Sequence, residues 1–192
     1  DVYKRQRQTS RGLKFWRQVR NSIFFSYQSS VDGFTNRAGI FYNNSFMFQN
    51  RSAITSELVF QPARWDDRNS RGNGMFKIED RLVASVGFGT DSAKKFSWSV
   101  QGGTTQEELG DFGWGADLGF TYRPADRFSL DLDLRWKRRE GWLVHRGDRD
   151  FTTYGADDFQ PRLAMDFFIT SRQQLRMTMQ WAGIRAEQQE FW

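Results

Sequence analysis

The single histidine of this chain, His145, lies in the segment 139–158, where acidic residues also gather. Asp148, Asp150, Asp157 and Asp158 follow the histidine in this segment. A histidine beside a carboxylate can activate water for hydrolysis, so this segment is the first candidate for catalytic chemistry. One histidine among scattered acids is more typical of a solvated loop whose charges neutralise each other. We therefore assign no catalytic residue and predict that the chain is not an enzyme.

Cysteine is absent and histidine occurs once, which excludes disulfides, thiolate chemistry and metal sites rich in cysteine or histidine. The acids of segment 139–158 do not follow the alternating spacing of a calcium-binding loop. We predict no metal and no cofactor. The aromatic and histidine side chains of the segment are candidate contacts for a ligand such as a sugar, with packing of the loop onto itself as the alternative: Trp142, His145, Phe151 and Tyr154.

The elements that must position these residues are strands, because apolar and polar residues alternate along most of the chain. Residues 128–136 read Phe-Ser-Leu-Asp-Leu-Asp-Leu-Arg-Trp, with every second side chain apolar. Side chains alternate between the faces of a strand, so this pattern predicts a strand with one apolar face. The pattern recurs at 112–122 and 175–181, and in weaker form at 17–27, 38–48, 54–60, 76–88, 96–102 and 163–169. We predict an all-β protein of about nine strands without helices.

The connections between these strands alternate in length. The short ones fall at 49–53, 90–94, 123–127 and 171–174, and the long ones at 29–36, 62–75, 103–110 and 139–158. Outer-membrane β-barrels have this arrangement, with tight periplasmic turns at one rim and long loops at the other. The sequence therefore predicts an antiparallel meander that forms part of a transmembrane barrel in the outer membrane of a Gram-negative bacterium.

Aromatic residues concentrate near the ends of the predicted apolar faces, with aliphatic residues between them. Two aromatic girdles around an aliphatic band are expected where rings lie at the level of lipid headgroups. Asp80 departs from the pattern, because it falls on the apolar face and requires a bulge or a position near the interface. The predicted girdle comprises Tyr27, Tyr42, Phe76, Trp98, Trp114, Tyr122, Phe128, Trp136 and Trp181.

The opposite face of the predicted strands is charged, and burial of such a face in a dry core would cost several kcal/mol per unpaired ion. A water-filled lumen removes this cost. Charges on neighbouring strands can stiffen the wall, or they can select the solutes that pass; the sequence favours neither role over the other. The predicted lumen-facing charges are Asp117, Asp131, Asp133, Arg135, Asp166 and Arg176.

The 28 Lys and Arg residues exceed the 23 Asp and Glu residues by five, and both signs are interspersed along all 192 residues. Proteins that bind nucleic acid usually collect their cations on one face or in one tail, so no nucleic-acid partner is predicted. The alternative from another class is a soluble β-sandwich or jelly roll that binds carbohydrate.

The expected domain organisation is one partial barrel over residues 7–192. Residues 1–6 resemble a translated adaptor and are excluded from the fold prediction. Nine strands is an odd number, whereas single-chain bacterial barrels have even numbers. We therefore expect a fragment that is truncated at both ends and does not fold alone.

Three segments carry a resemblance to a known family: Arg135–Val144 (RWKRREGWLV), Phe159–Phe168 (FQPRLAMDFF) and Ser171–Arg185 (SRQQLRMTMQWAGIR). They resemble the bacterial outer-membrane barrel domain of unknown function that commonly follows a module similar to family-9 carbohydrate-binding modules. The match is clearest over residues 126–192. The resemblance implies a larger barrel with a surface or pore role, such as glycan binding or passage, and no assigned catalytic residues. The implied partners are outer-membrane lipid, the barrel-assembly machinery and a polysaccharide or oligosaccharide.

Overall fold

The computed structural model describes residues 2–9, 14–29, 33, 35–66, 71, 74–148, 150–170 and 172–191. Every regular element in these residues is a β-strand, and every pairing between strands is antiparallel. The prediction of an all-β antiparallel fold is therefore confirmed. No helix in the described residues is long and apolar enough to cross a membrane.

The described residues form thirteen strands, whose bounds are as follows. They are β1 (Val2–Thr9), β2 (Trp16–Ser29), β3 (Thr35–Phe48), β4 (Ala53–Gln61), β5 (Arg64–Asp66), β6 (Phe76–Ile78), β7 (Arg81–Gly89), β8 (Phe96–Gln106), β9 (Phe112–Ala125), β10 (Phe128–Gly147), β11 (Asp150–Thr170), β12 (Gln173–Gln180) and β13 (Gly183–Phe191).

The main sheet has 11 strands in the order β1-β2-β3-β4-β7-β8-β9-β10-β11-β12, and β13 also pairs with β11. Strands β12 and β13 lie end to end along β11, against Arg162–Thr170 and Thr152–Phe159 respectively. The sheet is thus ten strands across, one more than predicted. The additional strand is β1, whose polar sequence lacks the alternation that predicts a strand.

The main sheet is open, because no pairing joins β1 to β12 or β13 in the described residues. It is also a single layer. Only four hydrophobic residues of the described chain are buried, which are Val59, Ile78, Phe151 and Ala156. A two-layer protein of this size would bury many more apolar side chains.

The predicted strand 76–88 is two strands that belong to different sheets. Strands β5 and β6 form a separate two-stranded sheet within the connection between β4 and β7. Asp80 lies in the break between β6 and β7. Its position outside both strands explains why it interrupts the apolar alternation.

The predicted long loop 139–158 is largely a strand hairpin. Strands β10 and β11 have 20 and 21 residues, and they pair as far as Gly147 and Asp150. Strand β9 pairs with β10 only up to Arg138. The part of β10 after Arg138, the segment of β11 that pairs with it, and β13 therefore project past the other strands of the sheet. The prediction of a loop failed here because a bulge near Gly141 interrupts the alternation.

The sheet has two rims. The turn rim carries the described residues 14–15 before β2, the connections 49–52, 90–95 and 126–127 and the turn that contains Arg172. The loop rim carries the connection 62–80, the connection 107–111 and the tip of the β10–β11 hairpin.

Candidate functional site

One face of the sheet, here called the polar face, carries a series of ion pairs between residues that stand directly opposite each other on neighbouring strands. Arg135 Nε lies 2.7 Å from Asp117 Oδ1, across β10 and β9. Arg176 Nε lies 2.7 Å from Asp166 Oδ1, across β12 and β11. All four side chains reach water, so each pair adds at most about 1 kcal/mol to stability.

The two other predicted lumen charges also have partners on the polar face. Asp133 lies opposite Arg162, with 3.4 Å between Oδ2 and Nη1. Asp131 accepts hydrogen bonds from the hydroxyls of Thr121 at 2.6 Å and Ser129 at 3.0 Å. The structure therefore joins all six predicted charges to polar neighbours over β9–β12. Arg162 was missed by the sequence prediction, although its place in the alternation of β11 could have identified it.

Two cavities lie on the polar face and share Gln101, Asp117 and Arg135 in their walls. Their volumes are about 310 Å³ and about 470 Å³. Glu57 and Lys137 line the first cavity, and charged and amide side chains of β10–β12 line the second. Guanidinium, carboxylate and amide groups together suit a hydrated, hydroxyl-rich solute.

The opposite face, here called the apolar face, is exposed across the main sheet. Its rings contact one another near both rims. Phe88 and Trp98 are 5.3 Å apart near the turn rim, and Phe159 and Trp181 are 6.2 Å apart near the loop rim. Phe128 of the predicted girdle is half-buried against Phe167. Seven other residues of the predicted girdle are exposed on this face: Tyr27, Tyr42, Trp98, Trp114, Tyr122, Trp136 and Trp181.

Phe76 departs from the predicted girdle. It lies in β6, outside the main sheet, with its ring 4.8 Å from that of Phe151. The connection 62–80 thereby reaches across to the projecting β10–β11 hairpin. Phe151 and Ile78, which follows Phe76 in β6, are two of the four buried hydrophobic residues in the described part of the chain.

A group of charged and aromatic residues at the loop rim, here called the rim cluster, consists of Glu107, Lys137, Arg139, Trp142 and Tyr154. The carboxylate of Glu107 is 1% exposed and accepts two hydrogen bonds from Arg139, one from Nε at 2.8 Å and one from Nη2 at 2.6 Å. The Arg139 guanidinium lies 4.4 Å from the centre of the Trp142 ring, within cation–π distance. This network ties the connection 107–111 to β10.

Lys137 is a second cation near Glu107, with 3.9 Å between its Nζ and Glu107 Oε1. It lies beyond Trp136, where the apolar face of β10 ends. Partial burial lowers the pKa of Lys137 below its ordinary value, and the Glu107 charge opposes this effect. Arg138 is exposed on the face of β10 opposite to Lys137. Its hydrogen bond to Glu140 and the charges of Glu140 and Asp157 raise its pKa.

The four predicted ligand contacts all lie on the β10–β11 hairpin. Trp142 and Tyr154 are opposite each other with 6.3 Å between ring centres, and Tyr154 accepts a hydrogen bond from Arg146 at 3.1 Å. His145 Nε2 is 3.0 Å from the backbone oxygen of Asp148, and its ring contacts Phe151. Phe151 is covered by Phe76 and His145, so its ring has no free face for a sugar.

Two of the acidic residues considered as partners of His145 for hydrolysis contact other side chains. Asp157 pairs with Arg138, and Asp158 accepts two hydrogen bonds from Gln160. Neither carboxylate contacts His145 in the described residues. No group of three or more His, Cys, Asp or Glu side chains in the same part of the chain could hold a metal ion.

Gly141 sets the shape of the rim cluster, because it lies in the bulge between Arg139 and Trp142 with a φ of 69°. A β-carbon at this position would also collide with the Asp111 carboxylate. We expect Gly141→Ala to lower the free energy of unfolding by about 1–3 kcal/mol. Denaturant titration followed by tryptophan fluorescence measures this loss.

Gly147→Ala is the matched control on the same hairpin, since a β-carbon there would meet no atom within 4 Å. We expect this variant to stay within about 0.5 kcal/mol of the wild type. Equal effects of the two substitutions would contradict the role of Gly141 in the bulge.

The fold and the two faces of the main sheet place the chain in a structural class: single-layer antiparallel β-sheet domains with one charged face and one exposed apolar face. The family described as "Domain of unknown function (DUF5916)" matches residues 3–191. The chain belongs to this family. No curated protein and no solved structure matches the chain.

Proposed function

We propose that this domain forms part of the wall of an outer-membrane β-barrel and has a non-catalytic surface or pore role. The observation that supports this proposal most strongly is the exposed apolar face of the main sheet. In the described residues, no second layer covers this face. Leu118 and Trp114 on β9 are 39% and 58% exposed, and Val86 on β7 is 59% exposed. Soluble proteins rarely expose an apolar patch above a few hundred Å². Lipid is the solvent in which such a face is stable.

The extent of the apolar face along β10 supports the proposal. From Phe128 to Trp136 the strand rises about 27 Å at about 3.4 Å per residue. A tilt of about 40° reduces this height to roughly 20 Å, close to the apolar band of such barrels. Arg138 and Glu140 occupy the next two positions on this face of β10, so the change from apolar to charged residues occurs where the membrane interface would lie.

In this proposal the polar face lines a wet lumen, and its ion pairs form the wall that solutes meet. The two cavities around Asp117 and Arg135 offer charged and amide groups that can hydrogen-bond to the hydroxyls of a glycan. We propose glycan binding or passage as the role of the intact protein. Hydrocarbon does not tolerate unpaired strand edges. The proposal therefore requires that β1 and β12–β13 pair in the membrane, with each other or with further strands.

The alternative, a soluble β-sandwich that binds carbohydrate, requires a second sheet packed on the apolar face. In the described residues the only other sheet consists of β5 and β6, with three residues each. Two strands of this length cannot cover a face that spans ten strands. The proposal of a membrane wall therefore accounts for the exposed face better.

Cysteine scanning along Leu130–Arg135 tests the proposal in the intact protein, stripped of any cysteine elsewhere and labelled in whole membranes with a water-soluble thiol reagent. We expect cysteines at Asp131, Asp133 and Arg135 to react, because the polar face meets water. Cysteines at Leu130, Leu132 and Leu134 should stay unlabelled, because lipid covers them.

Labelling of the same variants after solubilisation in urea provides the control, since all six cysteines should then react. Recovery of the protein in a soluble fraction, with the leucine positions protected in the absence of lipid, would contradict the membrane wall and favour the sandwich.

A further inference from the structure

The two rims of the sheet carry opposite charge. In the described connections the turn rim has six cations and two acids, whereas the loop rim has three cations and seven acids. The turn-rim cations are Lys14, Arg51, Lys94, Lys95, Arg127 and Arg172, and its acids are Asp91 and Asp126. The loop-rim cations are Arg64, Arg71 and Lys77, and its acids are Asp66, Glu79, Asp80, Glu107, Glu108, Asp111 and Asp148.

The six turn-rim cations, here called the basic collar, are available to an external partner. All six residues are exposed. In the described part of the chain, no ion pair joins any of them to an acid. The two acids of this rim do not neutralise them: Asp91 accepts a hydrogen bond from the backbone of Ala93 instead.

The basic collar lies immediately outside the aromatic residues of the turn rim. Lys95 precedes Phe96, Arg127 precedes Phe128, and the Lys14 ammonium lies 5.9 Å from the ring of Phe15. Aromatic rings at a membrane interface lie at headgroup level. Cations one residue beyond them are therefore at the depth of lipid phosphates, where they attract anionic lipid.

We propose that the basic collar binds the phosphate groups of anionic phospholipids such as phosphatidylglycerol. This inference rests on the proposed function. Short turns of outer-membrane barrels lie on the periplasmic side, and the leaflet on that side consists of phospholipid. The acidic loop rim then faces outward, so the charge difference between the rims also fixes the orientation of the wall.

The test uses the intact protein reconstituted in vesicles of phosphatidylethanolamine and phosphatidylglycerol, and native mass spectrometry to count the lipids that it retains. We expect the wild type to retain phosphatidylglycerol preferentially. The double variant Lys94→Gln/Lys95→Gln should lose roughly thirtyfold of this preference, at about fivefold per cation. Added salt should reduce the wild-type preference, because the interaction is electrostatic.

Arg71→Gln/Lys77→Gln is the matched control, because it removes two exposed cations from the loop rim. We expect it to retain the wild-type preference. Three results would overturn the inference: an unchanged preference in the collar variant, displacement of the lipid by equimolar inorganic phosphate, or stronger retention of lipopolysaccharide at the collar. A protein that is recovered without detergent would instead overturn the proposed function itself.

Discussion

Replacing Arg139 by alanine should lower the free energy of unfolding by about 3–5 kcal/mol, because it leaves the Glu107 carboxylate buried without its main partner. Arg139 makes both close hydrogen bonds to this carboxylate, which is 1% exposed. Lys137 replaces it only in part, since its ammonium is 3.9 Å from Glu107 Oε1, beyond hydrogen-bond distance. Loss of the guanidinium also removes the cation–π contact with Trp142.

Urea titration of the folded protein in detergent micelles measures this change, with tryptophan fluorescence as the signal. Arg185→Ala is the control, because it breaks the Arg185–Glu187 pair, which is 82% and 72% exposed. Exposed pairs contribute at most about 1 kcal/mol, so this variant should remain close to the wild type.

The double variant Glu107→Gln/Arg139→Ala separates the cost of an unpaired charge from the loss of packing, because it has the same packing loss at position 139 as the single variant. Without a buried charge, it should regain more than half of the stability that Arg139→Ala loses. If the single and double variants are equally unstable, the loss comes from packing at the loop rim, and the account of Glu107 as a buried ion is wrong.

Leu118→Arg should lower the stability of the protein in lipid by about 2–4 kcal/mol, the cost of an arginine on the lipid face near the midplane of the membrane. Leu118 lies on the apolar face of β9, midway between Trp114 and Tyr122, and is 39% exposed. A half-exposed leucine on a soluble protein can be replaced at a cost of about 0.5 kcal/mol. The same substitution therefore distinguishes an apolar face that lipid covers from one that water covers.

Ser99→Arg is the matched control, because Ser99 is exposed on the polar face of β8 and lines the larger of the two polar cavities. An arginine there enters water in either class, so little change is expected. Folding yield in lipid vesicles and urea titration give the two values. Equal and small effects at Leu118 and Ser99 would exclude a lipid-covered apolar face.

The alternation along 112–122, 128–136 and 163–169 was sufficient to predict three neighbouring strands and the faces of their charges. Side chains alternate strictly along a strand, so each charge was assigned to a face without knowledge of its partner. The partners themselves depend on register. Arg162 faces Asp133 only because β10 and β11 pair with that alignment.

The rim cluster could not be predicted from the sequence. Glu107 and Arg139 are separated by 32 residues and lie in what the sequence predicts as two different long loops. The bulge at Gly141 ends the alternation, so the pattern stops where strands β10 and β11 in fact continue. The contact of Phe76 with Phe151 likewise requires that the connection 62–80 reach across to the hairpin.

The sequence by itself determined the all-β class, nine of the ten strand positions of the sheet and the division into a charged and an apolar face, because these follow from local alternation. Only the tertiary structure decided that β1 joins the sheet, that β10 and β11 project beyond it, and that Glu107 is buried against Arg139. These features depend on pairing between distant segments, and local alternation carries no information about which segments pair.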